Sequence, residues 1–347
     1  MLADNGYPRQ IHLMARDDLF ESKRRDGTAS RPGYAPHMIR TVMNRSDWLT
    51  LIGLAIIWGS AFFCIHVAVH AVPPLTYVWL RVTIAAAALW GYLIWRKEPA
   101  GLPRSVWGSM FLLALLNNVI PFVLFGWGQT HIASGLASIL NATTPIWGVI
   151  VAHVFTHDER MTPRKVAGVL LGFGGVAMMI GPGLLGLIGG DVLAQLACVT
   201  AALLYALAGV WARRFKRQGV SPMSVTTGQL TASAIVMLPV AFIFDQPWQQ
   251  AFPPLSAIGA ILVLAVICSA YAYILYFRLI DSAGATNALL VTLLVPPVAI
   301  VMGALILGEA IEPRDFAGLG LIALGLAAID GRLLSFLRPK VAQQAVS

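Results

Sequence analysis

From Leu49 onward the chain alternates apolar runs of about 18 to 23 residues with short polar breaks. A helix rising 1.5 Å per residue needs roughly 20 apolar residues to cross about 30 Å of hydrocarbon, so each run predicts one membrane-spanning helix. Ten such runs follow one another, at 49–70, 75–95, 105–126, 133–155, 163–181, 190–212, 223–244, 256–277, 285–307 and 314–336. None alternates with a period of two, so helices rather than a closed barrel satisfy the backbone in lipid. The expected fold is all-α and polytopic. Residues 1–48 form a polar, basic, disordered lead on the cytosolic side without the short apolar stretch of a cleaved signal, and 337–347 form a cytosolic tail. Met38 and Met43 are alternative starts that leave the membrane core intact.

Charge sharpens this picture. The 347 residues are 58% hydrophobic and 12% charged, which excludes an ordinary soluble enzyme. The formal charge of +8 raises the question of nucleic acid, but a mean hydropathy of +0.75 points to a bilayer. The basic residues decide it, because cytoplasmic loops collect them. With the N-terminus inside, 22 of the 24 Lys and Arg fall in the lead, the tail and the inner breaks. Only Arg314, in an outer loop, and Arg81, within a run, depart from that side. The excess charge is a topology signal that places both termini in the cytoplasm, and nucleic acid is not an expected partner.

The chain also repeats itself. A shift of 147 to 150 residues lays Trp58 on Tyr205, Pro74-Leu75-Thr76 on Pro222-Met223-Ser224, Ser134-Gly135 on Ala283-Gly284, and Glu159–Gly168 on Glu309–Gly318. The copies are 49–181 and 190–336. Five runs per copy is an odd number, so the second enters the membrane from the opposite side and the two five-helix repeats are inverted. Inverted repeats around a central site suit alternating access, in which two near-equivalent packings open the site to one face and then the other.

Several of these residues also form a familiar set. Trp58-Gly59-Ser60 in the first run, Leu80-Arg81 in the second, Ser134 to Pro145 in the fourth and Gly308-Glu309 before the tenth resemble the EamA family of the drug/metabolite transporter superfamily. The likeness covers about 45–336, and the fourth run is its most specific piece. It implies ten helices, a bacterial inner membrane, and export or exchange of amino acids or other small metabolites. One extra residue separates Pro145 from Glu159 compared with Pro296 to Glu309, so the two acidic loops match only approximately.

Polar groups inside hydrocarbon are costly and mark pathways. The substrate-binding candidates are Trp58, Arg81, Asn117, Asn118, Asn141, Tyr205, Gln229, Tyr271 and Tyr273. Trp58 and Tyr205 sit at repeat-equivalent positions, away from the interfacial belt. Ser134, Ser138, Asn141, Pro145 and Gly148 form a small, polar stripe, with Asn141 on the cavity. Asn117 and Asn118 point about 100° apart, so at most one faces the cavity and the other makes an interhelical hydrogen bond. Arg81 either binds a carboxylate or serves the structure by snorkelling outward or capping carbonyls. Glycines 168, 172 and 175, echoed by 318 and 325, predict close helix packing within one chain or across a dimer.

What the runs lack narrows the cargo. No Asp or Glu lies in the middle of any run, which disfavours permanent cations, and a single pathway cation disfavours phosphorylated sugars. Glu159 and Glu309 are assigned to loop ordering or helix-end electrostatics rather than to transport. The three cysteines show no metal or disulfide spacing, the histidine pairs 66/70 and 153/157 lack a third ligand, and no catalytic set is present. The expectation is a carrier, not an enzyme, that needs no cofactor or metal. It moves neutral or zwitterionic, partly apolar solutes, as monomer or homodimer, with protons as the coupling ion to consider. The alternatives are export of other small metabolites or drugs, and a membrane sensor without transport.

Overall fold

A computed structural model describes residues 43–98, 101–156, 161–180, 190–288, 290–310 and 312–330. The lead up to residue 42, Glu159 and the tail from residue 331 lie outside the described residues. Ten helical rods follow one another among the described residues: α1 (Arg45–Val69), α2 (Pro74–Arg96), α3 (Arg104–Gly128), α4 (Ser134–Phe155), α5 (Pro163–Ile180), α6 (Gly190–Arg217), α7 (Pro222–Asp245), α8 (Leu255–Ala283), α9 (291–307, after the single turn Ala285–Ala288) and α10 (Pro313–Asp330). Seven of them, α1 to α4 and α6 to α8, are long and apolar enough to cross a membrane. The helices α5 and α10 have 18 residues each, and α9 contributes a shorter apolar stretch, Leu294–Leu307.

Helix starts are fixed by side chains from their own turn and from distant elements. Asn44 caps α1 reciprocally with Asp47 (2.8 and 3.0 Å), and the Ser282 hydroxyl at the end of α8 donates to the same carboxylate (2.8 Å). The start of α2 has Pro74 at its first position and no cap of its own. Instead the Asp245 carboxylate, from the end of α7, accepts from the amide (2.7 Å) and the hydroxyl (3.0 Å) of Thr76. A carboxylate there meets both the orphan N–H groups and the positive end of the helix.

The fourth run is not one continuous helix. Its α-helical part stops at Asn141 and resumes at Thr144, because Pro145 has no N–H to offer the Asn141 carbonyl. The hydroxyls of Thr143 and Thr144 donate to the carbonyls of Leu140 (2.6 Å) and Asn141 (2.7 Å) in its place. Four π-helical stretches widen other rods, at Leu115–Val119, Ala241–Asp245, Val263–Tyr271 and Gly303–Leu307. The first precedes Pro121, whose ring displaces the ordinary bond to Asn117. The eighth helix extends six residues beyond its expected end, so Asp281 belongs to its last turn rather than to a loop.

Packing follows a rule visible in the contacts. Helices α1 and α6 lie against α8 and α9, and against α3 and α4, respectively; α2 lies against α7 and α8, and α7 against α2 and α3. For these four helices, exchanging a helix for the one five places along reproduces the neighbours named. Helices α2 and α7 run antiparallel. Thr76, Trp79 and Trp90 of α2 meet Asp245, Phe242 and Thr231 of α7 in descending order. In α5 and α10, a Cβ at Gly168 would lie 2.5 Å from the Gly325 carbonyl oxygen, and one at Gly175 would lie 2.6 Å from that of Gly318. Only glycine permits this approach. The glycine stripe therefore packs within one chain.

Two large apolar clusters share a boundary. One joins parts of α1, α3 to α6 and α8 to α10, the other parts of α1, α2, α3, α7 and α8, and both Ile57 and Tyr205 pack against each of them. The principal cavity opens where they meet.

Candidate functional site

A cavity of about 300 Å³ lies between α1, α2, α3, α4, α6, α8 and α9. Six of the nine candidates line it: Trp58, Arg81, Asn117, Asn141, Tyr205 and Tyr273. Thr292 and Val295 of α9 complete the wall.

The aromatic wall draws rings from both halves of the sequence. The Trp58 ring lies 6.5 Å from Tyr273 and 5.3 Å from Tyr276, and the Tyr205 ring stacks on Phe125 at 6.1 Å. A shift of 148 residues carries Phe125 onto Tyr273, as one of 147 carries Trp58 onto Tyr205, although the Trp58–Tyr273 pair meets edge-on (74°) and the Tyr205–Phe125 pair is stacked (23°). Trp58 Nε1 donates to the Cys268 carbonyl (3.2 Å), within the π-helical stretch of α8, where the altered winding frees carbonyls from the ordinary ladder. The π stretches of α3 and α8 themselves start 148 residues apart, and both face the cavity.

The polar side chains on the wall include two hydrogen-bonded groups. Arg81 is 7% exposed; its Nε donates to Ser269 Oγ (3.2 Å) and its guanidinium carbon lies 3.8 Å from the Phe122 ring centre. Among the described residues no carboxylate pairs with it. Asn117 Nδ2 donates to Gln229 Oε1 (3.1 Å), so Gln229 stands behind the wall and orients Asn117. The interhelical bond thus belongs to the asparagine on the cavity. Asn118 is fully buried outside the lining, and neither of its amide atoms has a partner among the described residues. Tyr271 is 46% exposed and does not reach the cavity. Residues two apart on a helix do not share a face, so Tyr271 and Tyr273 point apart. Ser269 and Thr292, absent from the candidates, also line the cavity, and no local pattern marks them.

A second cavity of about 210 Å³ adjoins the start of α4 and includes Gln195 and Glu309 in its wall. Glu309 accepts from the Ser134 amide (2.8 Å), the Ser134 hydroxyl (3.0 Å) and the Gly135 amide (3.2 Å), and His66 Nδ1 lies 3.8 Å away. This is a helix-end role for Glu309. No group of three or more His, Cys, Asp or Glu side chains is placed to hold a metal among the described residues.

Comparison with known proteins agrees with this architecture. The model of the EamA-like transporter family matches residues 47–181 and again 192–329. An uncharacterized transporter of Bacillus subtilis, YoaV, is 25% identical over 80% of this chain and 94% of its own length. The uncharacterized inner membrane transporter YedA of Escherichia coli K12 is 25% identical over 84% of this chain and 93% of its own. A solved crystal structure superposes with a TM-score of 0.60 at 19% identity, over 84% of this chain and 99% of that one, a likeness of fold.

Proposed function

The chain belongs to the EamA-like transporter family, and from that premise we propose that it carries small neutral or zwitterionic metabolites, amino acids or their derivatives, across a bacterial inner membrane by alternating access. The observation that carries the substrate class is the cavity wall: aromatic rings on most sides, one buried guanidinium without a carboxylate partner among the described residues, and one oriented asparagine. A solute carboxylate completes Arg81, while an apolar side chain suits the rings. The proposed contacts are Trp58, Arg81, Asn117, Asn141, Tyr205 and Tyr273, with Gln229 acting through Asn117.

Ten spans in two inverted repeats are part of the same reading. The antiparallel pairing of counterpart helices and the family's two matched segments support it. The basic residues support cytoplasmic termini, and export or exchange follows the resemblance read from the sequence. The test is flux of labelled neutral, aromatic and hydroxylated amino acids in liposomes containing the purified protein. Saturable flux above empty liposomes is expected; folded protein that moves none of them refutes the reading.

A further inference from the structure

The central cavity holds a charge that no carboxylate among the described residues neutralises. Arginine stays protonated and carries five N–H donors in a rigid fork. Arg81 spends one on Ser269, rests its face on Phe122, and lies beside Tyr77, whose hydroxyl donates to the Phe122 carbonyl (3.0 Å). These neighbours are uncharged. The guanidinium belongs to a cavity large enough for an ion and several waters, inside a bundle whose lining is mostly apolar. A buried cation that cannot deprotonate needs an anion from solution, and when no organic solute supplies a carboxylate an inorganic anion takes that place.

We propose that the central cavity is also a binding site for a small monovalent inorganic anion, chloride in size and charge, held by the guanidinium of Arg81 when the organic solute is absent. The solute carboxylate displaces it, so halide and solute compete. The competition rests on the proposed transport function; the anion site rests on Arg81 alone.

The experiment uses the full chain purified in detergent, with gluconate replacing chloride at constant ionic strength. Radiolabelled chloride should bind saturably, one per chain, and be displaced by bromide. At ten times the dissociation constant, chloride should raise the thermal midpoint by about 2 °C over gluconate, a shift that Arg81→Gln abolishes. Absence of saturable chloride binding to the unmodified chain overturns the proposal even if the variant fails to fold, and so does an equal shift in Arg81→Gln. Amino-acid flux measured alongside separates the two ideas. Flux without halide binding removes the anion site and leaves the carrier, while halide binding without flux does the reverse.

Discussion

The contact between α5 and α10 gives a sharp test of the packing. A Cβ at Gly168 would sit 2.5 Å from the Gly325 carbonyl oxygen and 3.2 Å from the Ile329 amide nitrogen, both backbone atoms. Ordinary contact lies at about 3.5–4.0 Å, so Gly168→Ala must push the helices apart locally by about 1 Å. Overpacking of this kind costs about 1–3 kcal/mol. Against it stands the gain of about 1 kcal/mol for replacing glycine by alanine in a helix. Gly174, on the same helix with nothing within 4 Å of its added Cβ, isolates that gain. The difference between Gly168→Ala and Gly174→Ala is therefore the clash itself, about 1–3 kcal/mol, or roughly 1–4 °C in thermal midpoint for a chain of 347 residues. Gly175→Ala should resemble Gly168→Ala, since its Cβ would meet the Gly318 carbonyl oxygen at 2.6 Å. Unfolding of the purified variants in detergent, followed by fluorescence, measures this. Equal midpoints for Gly168→Ala and Gly174→Ala would refute the close backbone contact.

Three further outcomes are expected. Trp58→Ala and Tyr205→Ala each remove a ring from the cavity wall and should lower flux about ten-fold, the loss of roughly 1.4 kcal/mol of solute contact, with folding retained by size-exclusion chromatography; unchanged rates remove both from the site. Tyr271→Ala should leave flux within about two-fold of the parent, roughly 0.4 kcal/mol, and a large loss would place its ring on the pathway. Glu309→Gln keeps the shape but weakens the charge-assisted bonds to Ser134 and Gly135, and should cost about 1–3 kcal/mol of stability, read as a lowered midpoint.

Helices were legible because runs of about twenty apolar residues leave the backbone no other way to be satisfied in lipid. A helix-end role for Glu309 was expected too, but not that the helix is α4, which begins 175 residues earlier at Ser134. The π stretches were not, because widening a helix by one residue leaves no hydrophobic period to count. That omission moves faces: an even step of about 100° relates Asn117 to Asn118 only in a regular helix, and both sit in the Leu115–Val119 stretch. The break after Asn141 was missed, since 133–155 reads as one helix with Pro145 on its stripe; the missing donor of Pro145 and the flanking Thr143 and Thr144 were the signal for it. Ser269 could not be found, because its meaning comes from Arg81, 188 residues earlier in the chain.

The caps that cross between halves have a consequence for synthesis. Thr76 waits for Asp245, 169 residues later, and Ser134 waits for Glu309, 175 residues later. While the ribosome is still making the second half, the first has entered the bilayer with helix ends and a guanidinium lacking their eventual partners. A chain that stops between the halves lacks all three partners, because Asp245, Ser269 and Glu309 lie in the second half.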